Sequence, residues 1–399
     1  MSKEDRYALS QMRKSMTIEN GHYKIVMPWR PGNTSLPCNR SQVLFRLQQL
    51  KARLNRDPHL LEKYVQVVKS YISQGHARKV ELGDGCAKWL QPHHLVLHQL
   101  KPGKVRVVFD CAASFDCAAS YQGHSLNNEL LTGPDVLQSL IGVLCFRVGR
   151  TAFTADIQLM FHQAYVANED QDFLRFLWWP RGNTSQPPEE CCMVVHLFGA
   201  KSSPSCTNFA LLQTAEYNPS DFSPTVLDTV QYNFYVGGCL KSVDSEAEAI
   251  GLINELITLL HRGGFELKKW LTNRPAVLSN VSVTNRADSS VSLDLENKET
   301  QHVLGVKWNY AEDELQIHIN MRSKPFTRRG MLSVASSVFD PLGMLAPVIL
   351  VANIRLQDLC RTGVGWDDER NEQTSYRWKK WLSGLPRLSN AAIRRWLFP

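Results

Sequence analysis

Apolar residues in the first quarter of the chain recur at steps of three and four positions. The clearest run, residues 41–54, places valine and leucine on one side, with lysine and arginine between them. Residues 59–75 repeat the pattern and end at a glycine. Because this spacing matches the period of an α-helix, the sequence predicts two amphipathic helices here.

From residue 104 onward the pattern changes to short apolar runs that are typical of β-strands. These runs are residues 104–110, 151–161, 173–180, 191–199 and 232–240. One helix start lies between the last two runs, where Ser203 before Pro204 fits an N-cap, and another follows the last run, where Ser245 with Glu248 fits a capping box. Since strands and helices mix without strict alternation, the sequence predicts an α+β fold.

The run at 232–240 contains Gly237-Gly238 between two apolar stretches, which predicts a β-hairpin with a tight turn. Glycine accepts a positive φ without a Cβ clash, so this interpretation places the positive φ angles of the turn on both glycines. Another apolar run ends in a carboxylate, Asp156. Lys104 and Arg106 lie two residues apart, hence on one face of a strand, where two cations can clamp a phosphate chain.

Composition and charge restrict the function only loosely. The 399 residues are 43% hydrophobic and 21% charged, and the formal net charge of +7 suits a nucleic-acid-binding surface without proving one. The ten cysteines form no Cys-x-x-Cys pair, which disfavours a zinc site of the usual spacing. The N-terminus lacks a signal-peptide core and no apolar run approaches the ~20 residues of a membrane span. We therefore expect an intracellular protein, cytoplasmic or nuclear, that is not secreted.

Several segments occur along the chain in an order that indicates a protein family more specifically than any single segment does. They are TADIQLMFHQ, LFGAKSSPSCTNFAL, YNFYVGGCL, GFELKKWLTN, HVLGVKWN and RGMLSVASSVFDPLGMLAPVIL. In this order the chain resembles the reverse transcriptase region of Pao/BEL-class LTR retrotransposon pol polyproteins. The first two segments are similar to polymerase motifs A and B, and the third stands where motif C stands. The last two resemble the following region, which is catalogued as the Pao-type A17 peptidase.

The resemblance implies a right-hand polymerase with fingers and palm. The implied divisions are residues 1–95 for a mostly helical N-terminal segment that leads into the fingers, 96–290 for fingers and palm, and 291–399 for a truncated peptidase-like or connection-like segment. It also implies an RNA or DNA template–primer and deoxynucleoside triphosphates as partners, Mg²⁺ as cofactor, a role in transposition and DNA integration, and no membrane. It leaves the oligomeric state open.

The resemblance also shows what is missing at motif C. In this family the motif reads Tyr-x-Asp-Asp, and the matching positions here are Tyr235, Val236, Gly237 and Gly238. Both aspartates are absent, so Asp156 is the metal ligand that remains. Nucleotidyl transfer uses two divalent ions, which need several carboxylate or phosphate oxygens. We therefore expect weakened Mg²⁺ binding and absent or strongly impaired polymerase activity.

Other site roles carry over by position. Arg106 and Lys104 are expected to contact the incoming triphosphate. Phe161 stands where an aromatic residue excludes a ribose 2′-hydroxyl, and a plain core role has nearly equal weight. The positions expected to shape the nucleotide-pocket floor and the template contact are Gly199, Lys201 and Ser203. Asp244, the next acid after the hairpin, lies roughly 20 Å along the second strand, too far to replace either aspartate.

Three further observations bear on activity. A direct repeat of FDCAAS at residues 109–114 and 115–120 predicts a loop insertion beside the cation pair, which counts against activity. The C-terminal part has no Asp-Thr-Gly or Asp-Ser-Gly triplet, and Asp340 before Pro341 is typical of a turn, so peptidase is a family name rather than an expected activity. RNase H and integrase parts are interpreted as missing.

Two alternatives to an inactive reverse transcriptase stay open. One is an active polymerase, in which the two glycines are a sequencing error or are compensated by other residues. The other is a non-enzymatic protein that keeps the fold to bind nucleic acid or a partner.

Overall fold

The structure, a computed structural model, describes most of the 399 residues. The residues outside the description are 33–35, 82–86, 98–104, 112–120, 136–144, 288–299, 304–305, 317–323, 339, 341–342, 344, 364, 369–371, 389–391 and 398–399. Lys104, most of the FDCAAS repeat and the predicted division at 290/291 therefore lie outside the described residues.

Helices and strands occur along the whole chain. The helices are α1 (Lys3–Ser15), α2 (Arg40–Leu54), α3 (Pro58–Ser73), α4 (Leu126–Glu129), α5 (Asn168–Gln171), α6 (Ser203–Glu216), α7 (Pro224–Tyr232), α8 (Glu246–Arg262), α9 (Pro275–Ser279), α10 (Arg328–Ala335), α11 (Ala346–Arg361) and α12 (Glu372–Leu388). The strands are β1 (Thr17–Glu19), β2 (His22–Ile25), β3 (Ala77–Lys79), β4 (His93–Leu97), β5 (Val105–Phe109), β6 (Thr151–Ile157), β7 (Tyr165–Val166), β8 (Arg175–Trp178), β9 (Glu189–Met193), β10 (Phe234–Tyr235), β11 (Gly238–Val243), β12 (Leu267–Thr272), β13 (Thr300–Val303), β14 (Val306–Asn309), β15 (Glu314–Gln316) and β16 (Ala392–Arg394). The predicted α+β class is confirmed.

The chain forms two compact units, each assembled from segments that are distant in sequence. Unit 1 comprises Met1–Leu137, Ile157–Gln231 and Asn254–Leu267, and unit 2 comprises Gln138–Asp156, Tyr232–Ile253 and Lys268–Pro399. The predicted division into residues 1–95, 96–290 and 291–399 stays a prediction.

The predicted N-terminal helices of unit 1 are confirmed as α2 and α3. Each helix buries one apolar face, because its apolar residues recur with the helical period. Helix α3 starts at Pro58, and the Asp57 carboxylate caps it by accepting a hydrogen bond from the Leu60 N–H. Around these helices, unit 1 has two three-stranded sheets, β1-β2-β7 and β3-β9-β8, and the hairpin β4-β5.

The core of unit 1 is rich in aromatic side chains. Tyr64 of α3 and Phe176 and Trp178 of β8 pack around the buried His93 of β4. The Tyr64 hydroxyl donates to Nδ1 of His93 (2.6 Å), and Nε2 of His93 donates to the Leu177 carbonyl (2.9 Å). Burial lowers the pKa of His93 to about 4. This imidazole is thus a neutral, fully bonded part of the core.

Unit 2 contains two four-stranded sheets, ordered β10-β11-β6-β12 and β13-β14-β15-β16. One hydrophobic cluster takes residues from both sheets and includes the fully buried Trp308. Helices α10, α11 and α12 share a separate cluster that includes Met331, Ala352 and Trp378. The capping box at the start of α8 is confirmed, because Ser245 Oγ accepts from the Glu248 N–H (3.2 Å) and Glu248 Oε2 accepts from the Ser245 N–H (3.3 Å).

A buried arginine, Arg395, joins the last strand to the rest of unit 2 through hydrogen bonds. The guanidinium of Arg395 pairs with Asp313 through Nε (2.6 Å) and Nη2 (2.9 Å). Its remaining hydrogen bonds go to the carbonyls of Phe146 (2.7 Å), Gly149 (2.9 Å) and Arg150 (3.0 Å). Each of these buried donors has an acceptor, which is the condition for burying a charge without a large penalty. In the described residues, no helix has the length and apolar character needed to cross a membrane.

Candidate functional site

Strand β6 carries Asp156 near its end, in the β10-β11-β6-β12 sheet of unit 2. Most of the strand is buried, whereas the Asp156 side chain is 45% exposed. Strand β6 pairs antiparallel with β11, and the register places Gly238 directly opposite Asp156. The structure therefore brings Asp156 together with one of the two glycines of the hairpin.

The Gly238 position has room for a side chain. A Cβ built on Gly238 lies 3.5 Å from Oδ1 of Asp156 and 3.7 Å from the carbonyl oxygen of Tyr235. Both distances are ordinary van der Waals contacts, and the φ of Gly238 is not positive. An aspartate at this position would meet no backbone strain, and its carboxylate would stand beside that of Asp156.

The hairpin between β10 and β11 is confirmed, but its turn is shifted. Tyr235 already pairs with Gly238, so the loop consists of Val236 and Gly237. The Gly237 N–H donates to the Tyr235 carbonyl (2.7 Å), which closes a three-residue γ-turn around Val236. Val236 has a φ of 58°, and neither glycine has a positive φ. The prediction of positive φ at both glycines is therefore wrong, because strand pairing includes Gly238 and concentrates the turn on Val236.

Lys269 of β12 reaches the Asp156 carboxylate. Its Nζ donates to Asp156 Oδ2 at 2.7 Å, and the two side chains are 62% and 45% exposed. Lys269 has a φ of 56° in the middle of a strand, where extended backbone is the rule. Sequence reasoning missed this residue, since the letters FELKKW contain no signal for a left-handed residue.

The donors around Asp156 do not fit a pair of Mg²⁺ ions. Gly237 and Gly238 offer no side-chain oxygen, and Lys269 brings a positive charge where a cation would bind. Magnesium requires an octahedron of oxygens and favours sites with carboxylates or phosphates. Across the described part of the chain, no group of three or more His, Cys, Asp or Glu side chains is arranged to hold a metal ion.

Asp244 does not supply a second carboxylate beside Asp156. Strand β11 ends at Val243, which pairs with Thr151 at the opposite end of β6 from Asp156. Asp244 follows Val243 there, and its N–H donates to the Glu248 carboxylate (3.1 Å). This register agrees with the expectation that Asp244 is too distant to replace a motif C aspartate.

The other predicted site residues that the structure describes all lie in unit 1. Arg106 is on the exposed face of β5, opposite Val96 of β4. At the end of the same strand, Asp110 pairs with Arg46 of α2 (3.2 Å). Lys104 lies outside the described residues, so the proposed pair of cations stays a prediction.

Phe161 is a packed aromatic side chain. It belongs to a short 3-10 turn after β6, is 9% exposed, and lies 4.5 Å from Phe198 between ring centroids. This packing accounts for an aromatic residue at 161 without any nucleotide. Its role beside a ribose stays a prediction.

At Gly199 the loop before α6 lies close to Phe109, the last residue of β5. Gly199 has a φ of +119°, and a Cβ built there lies 2.3 Å from the carbonyl oxygen of Phe109. Both facts exclude a larger residue. Asn127 fixes the same loop: its Nδ2 donates to the Gly199 carbonyl (2.9 Å), and its Oδ1 accepts from the Lys201 N–H (2.9 Å). Asn127 is a second residue that sequence reasoning missed, because the contact spans some seventy positions.

Lys201 and Ser203 lie at the start of α6. Burial is the main cause that lowers the pKa of Lys201, and the nearby charge of Arg30 acts in the same direction. Ser203 is fully buried and is the first helical residue. The N-cap is Ser202, whose carbonyl accepts the first helical hydrogen bond, from Cys206 (3.0 Å). The prediction of Ser203 as N-cap is therefore wrong by one residue.

Comparison with known proteins points to retroelements. Residues 327–399 match the family described as the Pao retrotransposon-like RNaseH-like domain. A foamy viral protease–reverse transcriptase, solved in complex with double-stranded DNA, is similar in fold with a TM-score of 0.53 and 13% sequence identity. The alignment covers 99% of this chain and 58% of that chain, so this chain spans little more than half of the viral protein's length. No curated protein matches.

These findings bear on two expectations about the C-terminal part. The matching family is described as RNaseH-like rather than as a peptidase, so the A17 peptidase interpretation gains no support from it. The match also runs against the interpretation that an RNase H part is missing. Asp340 does serve a turn, since its carbonyl accepts from the Gly343 N–H (3.2 Å) and its carboxylate accepts from the Leu345 N–H (2.6 Å).

Proposed function

We propose that this chain is a retroelement-derived protein with a reverse transcriptase fold that has lost nucleotidyl transfer. The observation that carries the proposal is the register of β6 and β11, which sets Asp156 opposite a glycine. The likeness to a reverse transcriptase and the C-terminal match to a retrotransposon family support the origin. In this proposal β6, β10 and β11 belong to the palm, and β4 and β5 belong to the fingers.

The loss of activity follows from the chemistry of phosphoryl transfer. The protein contributes little covalent chemistry, and catalysis depends on positioning and on neutralising charge with two metal ions. Asp156 alone offers one carboxylate, and Lys269 already uses one of its oxygens. Arg106, Phe161, Gly199, Lys201 and Ser203 would then belong to a nucleotide pocket that no longer performs chemistry.

Primer extension tests the proposal. The natural chain and the Gly237→Asp/Gly238→Asp variant are compared on a poly-rA/oligo-dT template, first with Mg²⁺ and then with Mn²⁺. We expect no synthesis by the natural chain and metal-dependent synthesis by the variant. Adding Asp156→Asn to the variant should abolish that synthesis, which controls for a contaminating polymerase. Synthesis by the natural chain that Asp156→Asn removes would overturn the proposal.

A second candidate is binding of a template–primer duplex without catalysis. The formal net charge of +7 and the duplex held by the structurally similar viral protein favour it. A retained binder should hold an RNA–DNA duplex with an affinity that falls steeply with salt, because binding releases counterions from the phosphates. Weak binding with little salt dependence would exclude this second function and leave a degraded copy.

A further inference from the structure

The side chain of Lys269 forms an ion pair with Asp156, the carboxylate proposed as the remaining metal ligand. From the geometry around Asp156 we infer that Lys269 is an internal counter-ion that competes with divalent metal, and is therefore an obstacle to metal binding separate from the missing aspartates. The inference rests on the proposed function, since it concerns the same site.

The two oxygens of Asp156 face different neighbours. Oδ2 accepts the hydrogen bond from Lys269 Nζ at 2.7 Å, and Oδ1 faces the Gly238 position at 3.5 Å from a built Cβ. Direct coordination of a metal through Oδ2 would place a divalent ion beside an ammonium group, so the two cations repel each other. The ammonium therefore has to move away before this oxygen can bind metal.

The backbone of β12 directs Lys269 to this place. With a φ of 56°, Lys269 departs from the extended conformation, and a non-glycine residue adopts that region at a cost. The adjacent Lys268 is bound elsewhere, to Asn285 Oδ1 (2.8 Å). Two neighbouring lysines of one strand thus have different partners, and only the one with the unusual φ pairs with Asp156.

Restoring the two aspartates would strengthen this competition. A carboxylate at 238 would stand beside Asp156, so Lys269 would face two or three carboxylates instead of one. An ammonium between carboxylates is held more strongly than one in a single exposed pair. The restored site should therefore bind metal, but less tightly than the same site without the lysine.

Mn²⁺ binding to the full chain, measured by isothermal titration calorimetry, tests the inference. The background is Gly237→Asp/Gly238→Asp, to which Lys269→Gln or Lys268→Gln is added. Both lysine changes remove one positive charge from the same strand. We expect Lys269→Gln to tighten Mn²⁺ binding by about two- to fivefold or more, as for loss of an exposed ion pair, and Lys268→Gln to change it less. Equal effects of the two changes, or none from Lys269→Gln, would overturn the inference.

A second measurement covers the case in which the triple variants fail to fold. Lysine acetylation by a water-soluble reagent is followed by mass spectrometry in the natural chain and in Asp156→Asn. The substitution should speed acetylation of Lys269 and leave Lys268 unchanged, and an unchanged rate at Lys269 would overturn the ion pair. Neither measurement depends on synthesis, so a polymerase that proves active would end the proposed function without deciding the role of Lys269.

Discussion

The β10–β11 hairpin of unit 2 and the loop before α6 in unit 1 each contain a glycine, and the two glycines differ in how much room surrounds them. At the hairpin, a Cβ built on Gly238 meets only ordinary contacts. At the loop, Gly199 approaches the Phe109 carbonyl so closely that no other residue fits, and Asn127 bonds both sides of it. The hairpin position therefore has room for a side chain, and the loop position has none.

The two positions should therefore respond differently to substitution. A residue whose Cβ meets only ordinary contacts can change with little effect on folding stability. Close backbone approach, by contrast, is part of folding stability, and its loss is penalised whether or not the protein has a function. If nucleotidyl transfer has been lost as proposed, carboxylates at the hairpin could disappear at little cost to the fold, whereas the glycine of the loop could not.

The largest effect that sharpens this contrast is expected from Gly199→Ala. The new Cβ would overlap the Phe109 carbonyl oxygen at 2.3 Å, in a backbone conformation that disfavours any side chain. We expect a loss of about 3 kcal/mol or more in the free energy of unfolding, measured by urea denaturation.

Gly238→Ala is the matched control for that change. Its Cβ meets nothing closer than 3.5 Å, and we expect the free energy of unfolding to change by less than about 0.5 kcal/mol. If both alanine substitutions lowered the free energy of unfolding equally, the contrast between a tightly packed glycine and one with room around it would be wrong.

Three buried histidines should make unit 1 sensitive to acid. Burial lowers the pKa of His162 to about 3 and of His196 to about 4, as it does for His93, and all three lie in unit 1. Because the unfolded chain binds these protons first as the pH falls, their contribution to stability is full above pH 6.5. It is lost as the pH falls from 6.5 to about 4 for His93 and His196, and to about 3 for His162.

Unit 1 should therefore lose stability on acidification. Between pH 7 and 4.5 we expect each of these histidines to cost unit 1 on the order of 2 kcal/mol. Hydrogen exchange with mass spectrometry, corrected for the intrinsic rate at each pH, measures this loss. Replacing His162 by leucine should flatten the pH dependence in unit 1. Corrected exchange rates in unit 1 that do not rise between pH 7 and 4.5 would contradict the prediction.

Local patterns predicted the elements well, and contacts between distant segments set the details of the site. The helices α2 and α3 follow from their apolar period, and the capping box at Ser245 follows from four letters. The ion pair of Lys269 needs the order of four strands and an unusual φ in β12. The bonds of Asn127 join loops far apart in the chain. No single-sequence pattern contains such information, because it arises only when the strands pair.

Apart from the control at Gly238, the smallest effect is expected at Val236, where the hairpin keeps a strained turn. A β-branched residue at a φ of 58° is an outlier, and the side chain is 42% exposed, so little packing offsets the strain. Val236→Gly should raise the free energy of unfolding by up to about 1 kcal/mol, since glycine adopts this φ freely while it gains entropy in the unfolded chain. Val243→Gly, at the other end of β11, is the control and should lower it by a similar amount, because that residue has no positive φ to relieve. Equal destabilisation by both glycines would mean that the Val236 turn stores no strain. The hairpin and the Gly199 loop would then differ in the room they leave for side chains, with no strained backbone at Val236 to add to that difference.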